Sequence, residues 1–341
     1  MEEKYKRKNS VTKTEKDRVA EITEKLEQGI QELFESDRYQ SYLKTMAKFS
    51  QYSVNNTILI AMQNPGATMV AGYQAWQKKF GRYVKAGEKG IRILAPMPHK
   101  VKIEKEQMDP QTGQVLKNEN GEPVTEVEEG KRLYGFRVVT VFDVSQTDGK
   151  ELPSLGVWEL SGEVEQYETF LEAIRAVSPV PIEWEEIPGG AKGYYSRSEQ
   201  RIAIQTGMSQ IQTIKTAIHE LAHAMLHGAV PEGEGTESAE MLEKTRETKE
   251  VEAESVAYTI CQRYGIETSD YSFGYIAGWS SGRDMKELKS SLETIRKTSA
   301  ELIRSLDMQL QMMAESQSIQ QTAELVTGGD APSATFVPSM T

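Results

Sequence analysis

The stretch HELAHAMLHG, His219 to Gly228, holds three of the four histidines in the 341-residue chain. Histidines four residues apart leave an α-helix from one face, one turn apart, so His219 and His223 can offer two imidazole nitrogens to a single metal ion. Glu220 follows about 100° around the helix, beside the pair and placed to act as a general base on water. With so few histidines, chance gives this pattern only rarely. His227 lies one turn further along, too far for easy shared coordination, and reads as a histidine that supports a ligand or simply packs. Gly228 stands where a C-cap is expected, which bounds the histidine helix at about 209–227.

A catalytic zinc takes three protein ligands and leaves its fourth position to water. Cys261 is the only cysteine, which excludes a cysteine zinc cluster and an intrachain disulfide framework and reads as a small buried hydrophobe. A carboxylate is therefore the natural third ligand. KEVEAESVAYTI (249–260) offers Glu250, Glu252 and Glu254 on one helix. Glu250 and Glu254 share a face, and Glu252 points roughly opposite. Ala253 and Ala257 would let two helices approach around a metal. This reading puts one Zn2+ per chain on His219, His223 and Glu250, with Glu254 orienting a ligand histidine. A solvated acidic face is the competing reading of the same glutamates.

HELAHAMLHG followed by EVEAESVAY resembles the gluzincin metallopeptidases, especially the domain joined to ArdC-type antirestriction proteins and the related ImmA/IrrE peptidases. The resemblance implies a zincin-like fold, Glu220 as catalytic base, and Glu250 as third ligand, the glutamate four residues before an acid or asparagine. Here that later position is Glu254 rather than asparagine, so the choice among Glu250, Glu252 and Glu254 stays open.

The net charge of −11 is unevenly spread. Residues 44–102 carry ten Lys/Arg against one acid, Glu88, and stand at +9, leaving −20 on the rest. Such a block points to an anionic partner, with a solvated face as the bland alternative. Within it, Tyr52, Tyr73, Trp76, Phe80 and Tyr83 interleave with Lys78, Lys79, Arg82, Lys85, Lys89 and Arg92. Bases stack on aromatic faces while cations follow phosphates. Trp76 and Phe80, four apart on a helix, read first as core. KAGEKG (85–90) reads as a tight turn that also admits a phosphate to its backbone. Asn55 and Asn56 read as caps or local polar contacts.

The run from Tyr52 to Pro96, with VFDVSQT at 141–147, is similar to the N-terminal single-stranded-DNA-binding domain of ArdC-like proteins, over roughly residues 15–150. The C-terminal helices resemble those of related proteins, LtrC-like among them, encoded on conjugative elements. The DNA-binding candidates are Tyr52, Lys78, Lys79, Arg82, Lys85, Lys89 and Arg92.

Periodicity predicts helices over 11–36, 38–49, 53–63, 163–177, 209–227, 246–264 and 283–312, with strands over 133–147, 180–187 and 200–205. Two turn signals in 104–130 predict an extended hairpin or flap, and 148–156 reads as a linker. The expected class is α+β: a single-stranded-DNA-binding domain over 1–150 and a zincin-like metallopeptidase domain over 151–280. A C-terminal helix over 281–314 and a disordered tail over 315–341 complete the expectation.

No apolar run reaches the length of a membrane span, and MEEKYKRKNS lacks the apolar core of a secretory signal, so the expectation is a cytoplasmic protein with no membrane contact. The leading function is antirestriction through single-stranded DNA, with a peptidase-like domain attached and a protein or peptide as its substrate. The second reading is a zinc metalloprotease that uses its N-terminal half to recognise a regulatory protein. The third is an interaction protein in which zinc is structural, against which Glu220 argues, because a structural site needs no base. The acidic C-terminal half is expected to repel DNA phosphate.

Overall fold

The structure, a computed structural model, describes residues 14–108, 115–118, 123–152, 164–228 and 244–327, apart from 267, 270 and 272. In chain order, α1 (Glu15–Leu33), α2 (Ser36–Lys48) and α3 (Val54–Gln63) lead to β1 (Val70–Gly72), α4 (Tyr73–Phe80) and β2 (Arg82–Val84). Next come β3 (Ile91–Glu106), β4 (Thr125–Asp143) and β5 (Thr147–Gly149). Then follow α5 (Val164–Val177), β6 (Ile182–Glu185), β7 (Gly193–Ser196), β8 (Arg201–Gln205) and α6 (Gln210–His227). Helices α7 (Arg246–Arg263), α8 (Ile276–Ser280) and α9 (Met285–Thr327) close the order. The fold is α+β. One compact unit comprises Met1–Leu33 and Asn55–Leu152, and a second comprises Phe34–Val54 and Pro153–Thr341.

In the first unit, Ile22, Leu26, Ile30 and Leu33 recur at spacings of three and four along α1, and all are buried. That stripe lies over an antiparallel sheet of order β1-β4-β3. Strand β3 is an edge, and α3 covers it with side-chain amides. Asn56 donates to Leu94 O at 2.8 Å and accepts from Leu94 N at 2.9 Å. Gln63 does the same with Arg92, at 2.9 and 3.0 Å. Two amides seven residues apart on α3 thus stand in for a neighbouring strand and close an edge open to mispairing.

The flap expected at 104–130 is the outer part of a β3–β4 hairpin paired out to Glu106 and Thr125, with a register shift between Pro96 and Pro98. Residues 109–114 and 119–122 of that call lie outside the described residues.

VFDVSQT is a clasp. The buried Asp143 carboxylate accepts from Thr68 N (2.8 Å), Met69 N (3.1 Å), Ser145 N (2.9 Å) and Ser145 Oγ (2.6 Å). Gln146 completes a capping box with Asp143 and donates to Glu88 and Lys89 O, both at 2.9 Å. The turn at 85–90 is therefore held in place by the motif that follows it in sequence.

In the second unit, β6 and β8 pair in parallel and β7 joins antiparallel, in the order β6-β8-β7. This puts β7 on the sheet edge, with α6 packed across β7 and β8. Gly193 permits that approach, since a Cβ there would meet Thr216 Cγ2 at 2.6 Å and Ala203 O at 3.0 Å. Ala253 and Ala257 are buried on α7, a helix that packs on α6, α2 and α9.

Two domain boundaries differ from expectation. Residues 34–54 were expected in the first domain and belong to the second unit. Tyr39, Tyr42, Leu43 and Met46 are buried, and α2 packs on α7. The Tyr39 ring lies 5.6 Å from Phe34 and 5.2 Å from Phe273, and its hydroxyl is 2.8 Å from that of Ser255. Periodicity shows that such a helix buries a face, but it does not show against which part of the chain. Helix α9 continues to Thr327 rather than ending near 314, because Gln, Ala, Glu and Leu in 315–327 are good helix formers. The rest of the expected tail, 328–341, lies outside the described residues. Among the described residues no helix is long and apolar enough to cross a membrane.

Candidate functional site

Helix α6 starts at Ser209, whose hydroxyl accepts from Gln212 N at 3.3 Å. It ends at Gly228, whose N–H donates to Ala224 O. The glycine is at the expected C-cap but is not left-handed (φ −58°). It is needed there because a Cβ would stand 2.5 Å from Ala224 O. Helix α7 starts at Thr245, which accepts from Thr248 N at 3.3 Å.

Between these helices, His219 Nε2 and His223 Nε2 are 3.1 Å apart, and Glu250 Oε2 lies 3.7 and 3.4 Å from them. A tetrahedral ion with bonds of about 2.0–2.1 Å sets its ligand atoms about 3.3–3.4 Å apart. The donor set fits a divalent ion. Electrostatics agree. Burial alone would lower the His219 pKa, but the Glu250 hydrogen bond and the charges of Glu220, Glu250 and Glu254 raise it. Hydrogen bonds from His219 and His223 hold Glu250 well below the usual carboxylate range. A cluster that draws in positive charge this way favours a cation.

The other two glutamates of α7 are placed differently. Glu252 is fully buried, accepting from Lys244 Nζ at 2.8 and 2.9 Å and from Ser291 Oγ at 2.9 Å. Glu254 accepts from the Tyr275 hydroxyl, and its charge acts on His219. Burial raises the Glu254 pKa. Burial also raises Glu220, against the lowering effect of both histidines and of a hydrogen bond from Tyr195 N–H. His227 packs its ring 5.6 Å from His223, and burial with the His223 charge lowers its pKa to about 4.

The cleft has two parts. One cavity, about 430 Å³, lies among Lys192, Gln212, Lys215, Thr216, His219 and Glu220. The other, about 800 Å³, adds Tyr195, Arg197, His223, Arg246, Lys249 and Glu250. Lysines and arginines outnumber the acids along this cleft, although the second half of the chain is acidic as a whole. The run GYYSRSEQRIAI (193–204), which reads in sequence as a strand pair able to hold an extended substrate, supplies Tyr195 from β7, whereas sequence reading missed Lys215. Lys215 stands one turn before His219 on the same helical face, a spacing that could have flagged it.

In the first unit, Lys78, Lys79, Lys85 and Lys89 are exposed, and Tyr73 and Tyr83 are 56% and 59% exposed. Lys85 Nζ donates to Ser145 O at 3.0 Å, and Arg92 lies 3.8 Å from Glu21. Arg82 is committed to the fold: its guanidinium donates to Thr147 Oγ1 at 2.8 Å, Thr147 O at 2.7 Å and Lys150 O at 2.7 Å. Trp76 is buried, donating from Nε1 to Phe142 O at 2.9 Å, with Phe80 tilted against it at 5.0 Å. Tyr52 falls in the second unit, edge-on to Phe49.

Residues 12–142 match the N-terminal domain of anti-restriction factor ArdC, and residues 185–265 match the IrrE N-terminal-like domain of peptidase family M78. The chain joins an ArdC-type domain to an IrrE-like one. It is also 28% identical to an uncharacterized protein of Bacillus anthracis, over 90% of this chain and 54% of that protein. The chain thus spans about half the length of the curated relative it matches. Two crystal structures of the antirestriction ArdC protein from plasmid R388 are similar. The metal-free form has 22% identity and a TM-score of 0.41, covering 78% of this chain and 86% of that one. The Mn(II)-bound form has 17% identity and a TM-score of 0.42, covering 76% and 85%. The IrrE-like domain holds His219, Glu220, His223 and Glu250, and the ArdC-type domain holds the basic run from Lys78 to Arg92.

Proposed function

We propose that the chain is an antirestriction protein that binds single-stranded DNA through its first unit, and whose second unit holds one zinc ion and hydrolyses peptide bonds. Support for the DNA reading comes from Lys78, Lys79, Lys85 and Lys89, exposed together with Tyr73 and Tyr83 in the unit that carries the ArdC-type match. Backbone charge and base stacking act together in such a surface, without a sequence code.

The observation that carries the peptidase reading is the meeting of His219, His223 and Glu250 beside a buried Glu220. Two imidazoles and a carboxylate suit zinc. Zinc, when bound, would supply a Lewis acid beside the scissile carbonyl. Glu220, whose pKa burial raises, takes the proton of the attacking water and passes it to the departing amine. Tyr195 N–H fixes the carboxylate, and the outer edge of β7 offers backbone pairing to an extended peptide.

The test separates the two activities in the full chain. Glu220→Gln removes the base and leaves all three metal ligands. We expect it to keep DNA binding, and to keep protection of unmodified DNA entering a restricting host, because shielding requires occupancy rather than bond cleavage. If Glu220→Gln loses protection at equal protein level while a Lys85/Lys89/Arg92 alanine variant keeps it, hydrolysis is the function and the metalloprotease reading replaces antirestriction by DNA binding.

A further inference from the structure

We propose that the open face of the β1-β4-β3 sheet is a stacking surface for the bases of a single nucleic-acid strand, with Phe136 and Phe142 as its platforms. The proposal rests on the DNA-binding reading of the first unit and names the residues that take the bases.

The register of the β3–β4 hairpin decides which side chains share that face. Ile91 and Ile93 on β3 and Val141 on β4 are buried on the side that carries α1. Side chains alternate across a strand. The other side therefore presents Leu94 opposite Val138 and Pro96 opposite Phe136, with Thr140 and Phe142 further along β4. None of these six is buried, and Phe136 is 47% exposed. The face is solvated yet mainly apolar, whereas the solvated side of an antiparallel sheet is ordinarily polar. A contiguous apolar patch of this kind marks a binding surface.

Charge at its border points to the occupant. Tyr73, 56% exposed, sets its ring edge-on to Phe142 at 6.3 Å and opens the helix that carries Lys78 and Lys79. The 85–90 turn comes against the same phenylalanine, since a Cβ on Gly90 would stand 3.0 Å from Phe142 Cε1 and Cζ. The exposed Lys89 precedes that glycine, while Glu88, the acid of the turn, accepts from Gln146 at 2.9 Å. Cations from two elements thus border one aromatic face, which suits a ligand with phosphates along its backbone and flat apolar rings beside them. Phe136 lies six residues from Phe142, about 20 Å along the strand at 3.4 Å per residue, a span that holds a few nucleotides. A duplex keeps its base faces inside its own stack, so this surface takes a single strand.

The experiment measures binding of the full chain to a thymidine oligonucleotide of about 16 nucleotides, to an abasic strand of the same length, and to duplex DNA. The wild type should bind the thymidine strand at least about tenfold tighter than the abasic one. Phe136→Ala should weaken binding of the thymidine strand about tenfold, or about 1.4 kcal/mol, the size of loss expected for one base stack. It should leave the abasic strand, the duplex and the salt slope unchanged. Phe136→Trp should keep wild-type affinity, and Phe142→Ala should act as Phe136→Ala does. The Lys85/Lys89/Arg92 alanine variant should instead weaken both strands and flatten the slope. Phe142 supports Tyr73, so the half-exposed Phe136 carries the test if Phe142→Ala fails to fold. Unchanged binding by Phe136→Ala, or equal wild-type affinity for the two strands, overturns the proposal and leaves the DNA reading on phosphate contacts alone. A wild type that binds neither strand removes both. A dimer that Phe136→Ala converts to monomer in light scattering, with DNA affinity intact, assigns the face to a second copy and overturns the proposal.

Discussion

Glu250 and Glu252 stand two residues apart on α7 and face opposite surroundings. Glu250 Oε2 lies 3.4 Å from His223 Nε2, while Glu252 is fully buried against Lys244 and Ser291. One carboxylate lies with the two histidines, and the other ties α7 to its neighbours.

This separation gives the first prediction. Elemental analysis should find near-stoichiometric zinc in the wild type, little in Glu250→Ala and none in His223→Ala. Glu252→Ala and Glu254→Ala should retain more metal than Glu250→Ala. Glu252→Ala should instead lose about 3–5 kcal/mol of stability, because Lys244 keeps its charge without its partner. Metal retained by Glu250→Ala and lost from Glu252→Ala would move the ligand.

Gly193→Ala tests the contact of β7 with α6. The added methyl would stand 2.6 Å from Thr216 Cγ2 and 3.2 Å from Glu220 Cγ, so strand and helix must part. We expect about 1–3 kcal/mol of destabilisation, together with a fall in peptide hydrolysis larger than any fall in metal content. Unchanged activity in a variant of normal stability would show that the strand does not position the base.

Salt dependence tests the nucleic-acid surface. Each phosphate contact with a single strand contributes about 0.7 to the slope of log affinity against log salt. The Lys85/Lys89/Arg92 alanine variant should therefore bind single-stranded DNA with a slope shallower by up to about 2. Arg82→Ala should act through folding, lowering the melting temperature, since its hydrogen bonds go to Thr147 and Lys150. Salt-independent binding by the wild type would remove the phosphate reading.

Asp143 sets an acid limit on the first unit. Burial raises its pKa, but hydrogen bonds from Ser145, Thr68 and Met69 outweigh that and leave it below the usual value. A carboxyl lowered in the folded state stabilises fully above its unfolded pKa of about 3.9, and that stability is lost as pH falls through the lower folded value. Asp143→Asn turns an acceptor of four donors into a group with donors of its own. It should cost about 1–3 kcal/mol at neutral pH and flatten the acid limb of the stability profile. An unaltered limb in a melting series from neutral to acid pH would place the sensitivity elsewhere.

How much of this was legible in sequence depends on how local the cause was. The histidine helix, its Ser209 and Gly228 boundaries, the shared face of Glu250 and Glu254 and the core role of Trp76 follow from spacings within one element. The meeting of Glu250 with His219 and His223 required the resemblance as well as spacing, because the pattern within α7 does not say which of its faces meets α6. The clasp of Asn56 on Leu94, the commitment of Arg82 to Thr147, and the burial of Lys215 depend on partners that periodicity does not name. The allocation of α2 was hidden for the same reason: Tyr39 and Tyr42 announce a buried face and give no sign of Phe273 or Ser255.

That allocation has a consequence for how the protein is made. About 200 residues separate α2 from α7, and a ribosome adding about 5–20 residues per second takes roughly 10–40 s to cover them. Throughout that interval Tyr39, Tyr42, Leu43 and Met46 have emerged without the helix that will cover them. The nascent chain thus carries an uncovered apolar helix face throughout that interval, and a message broken off between α2 and α7 would leave that face exposed for good, as a target for chaperones and proteases.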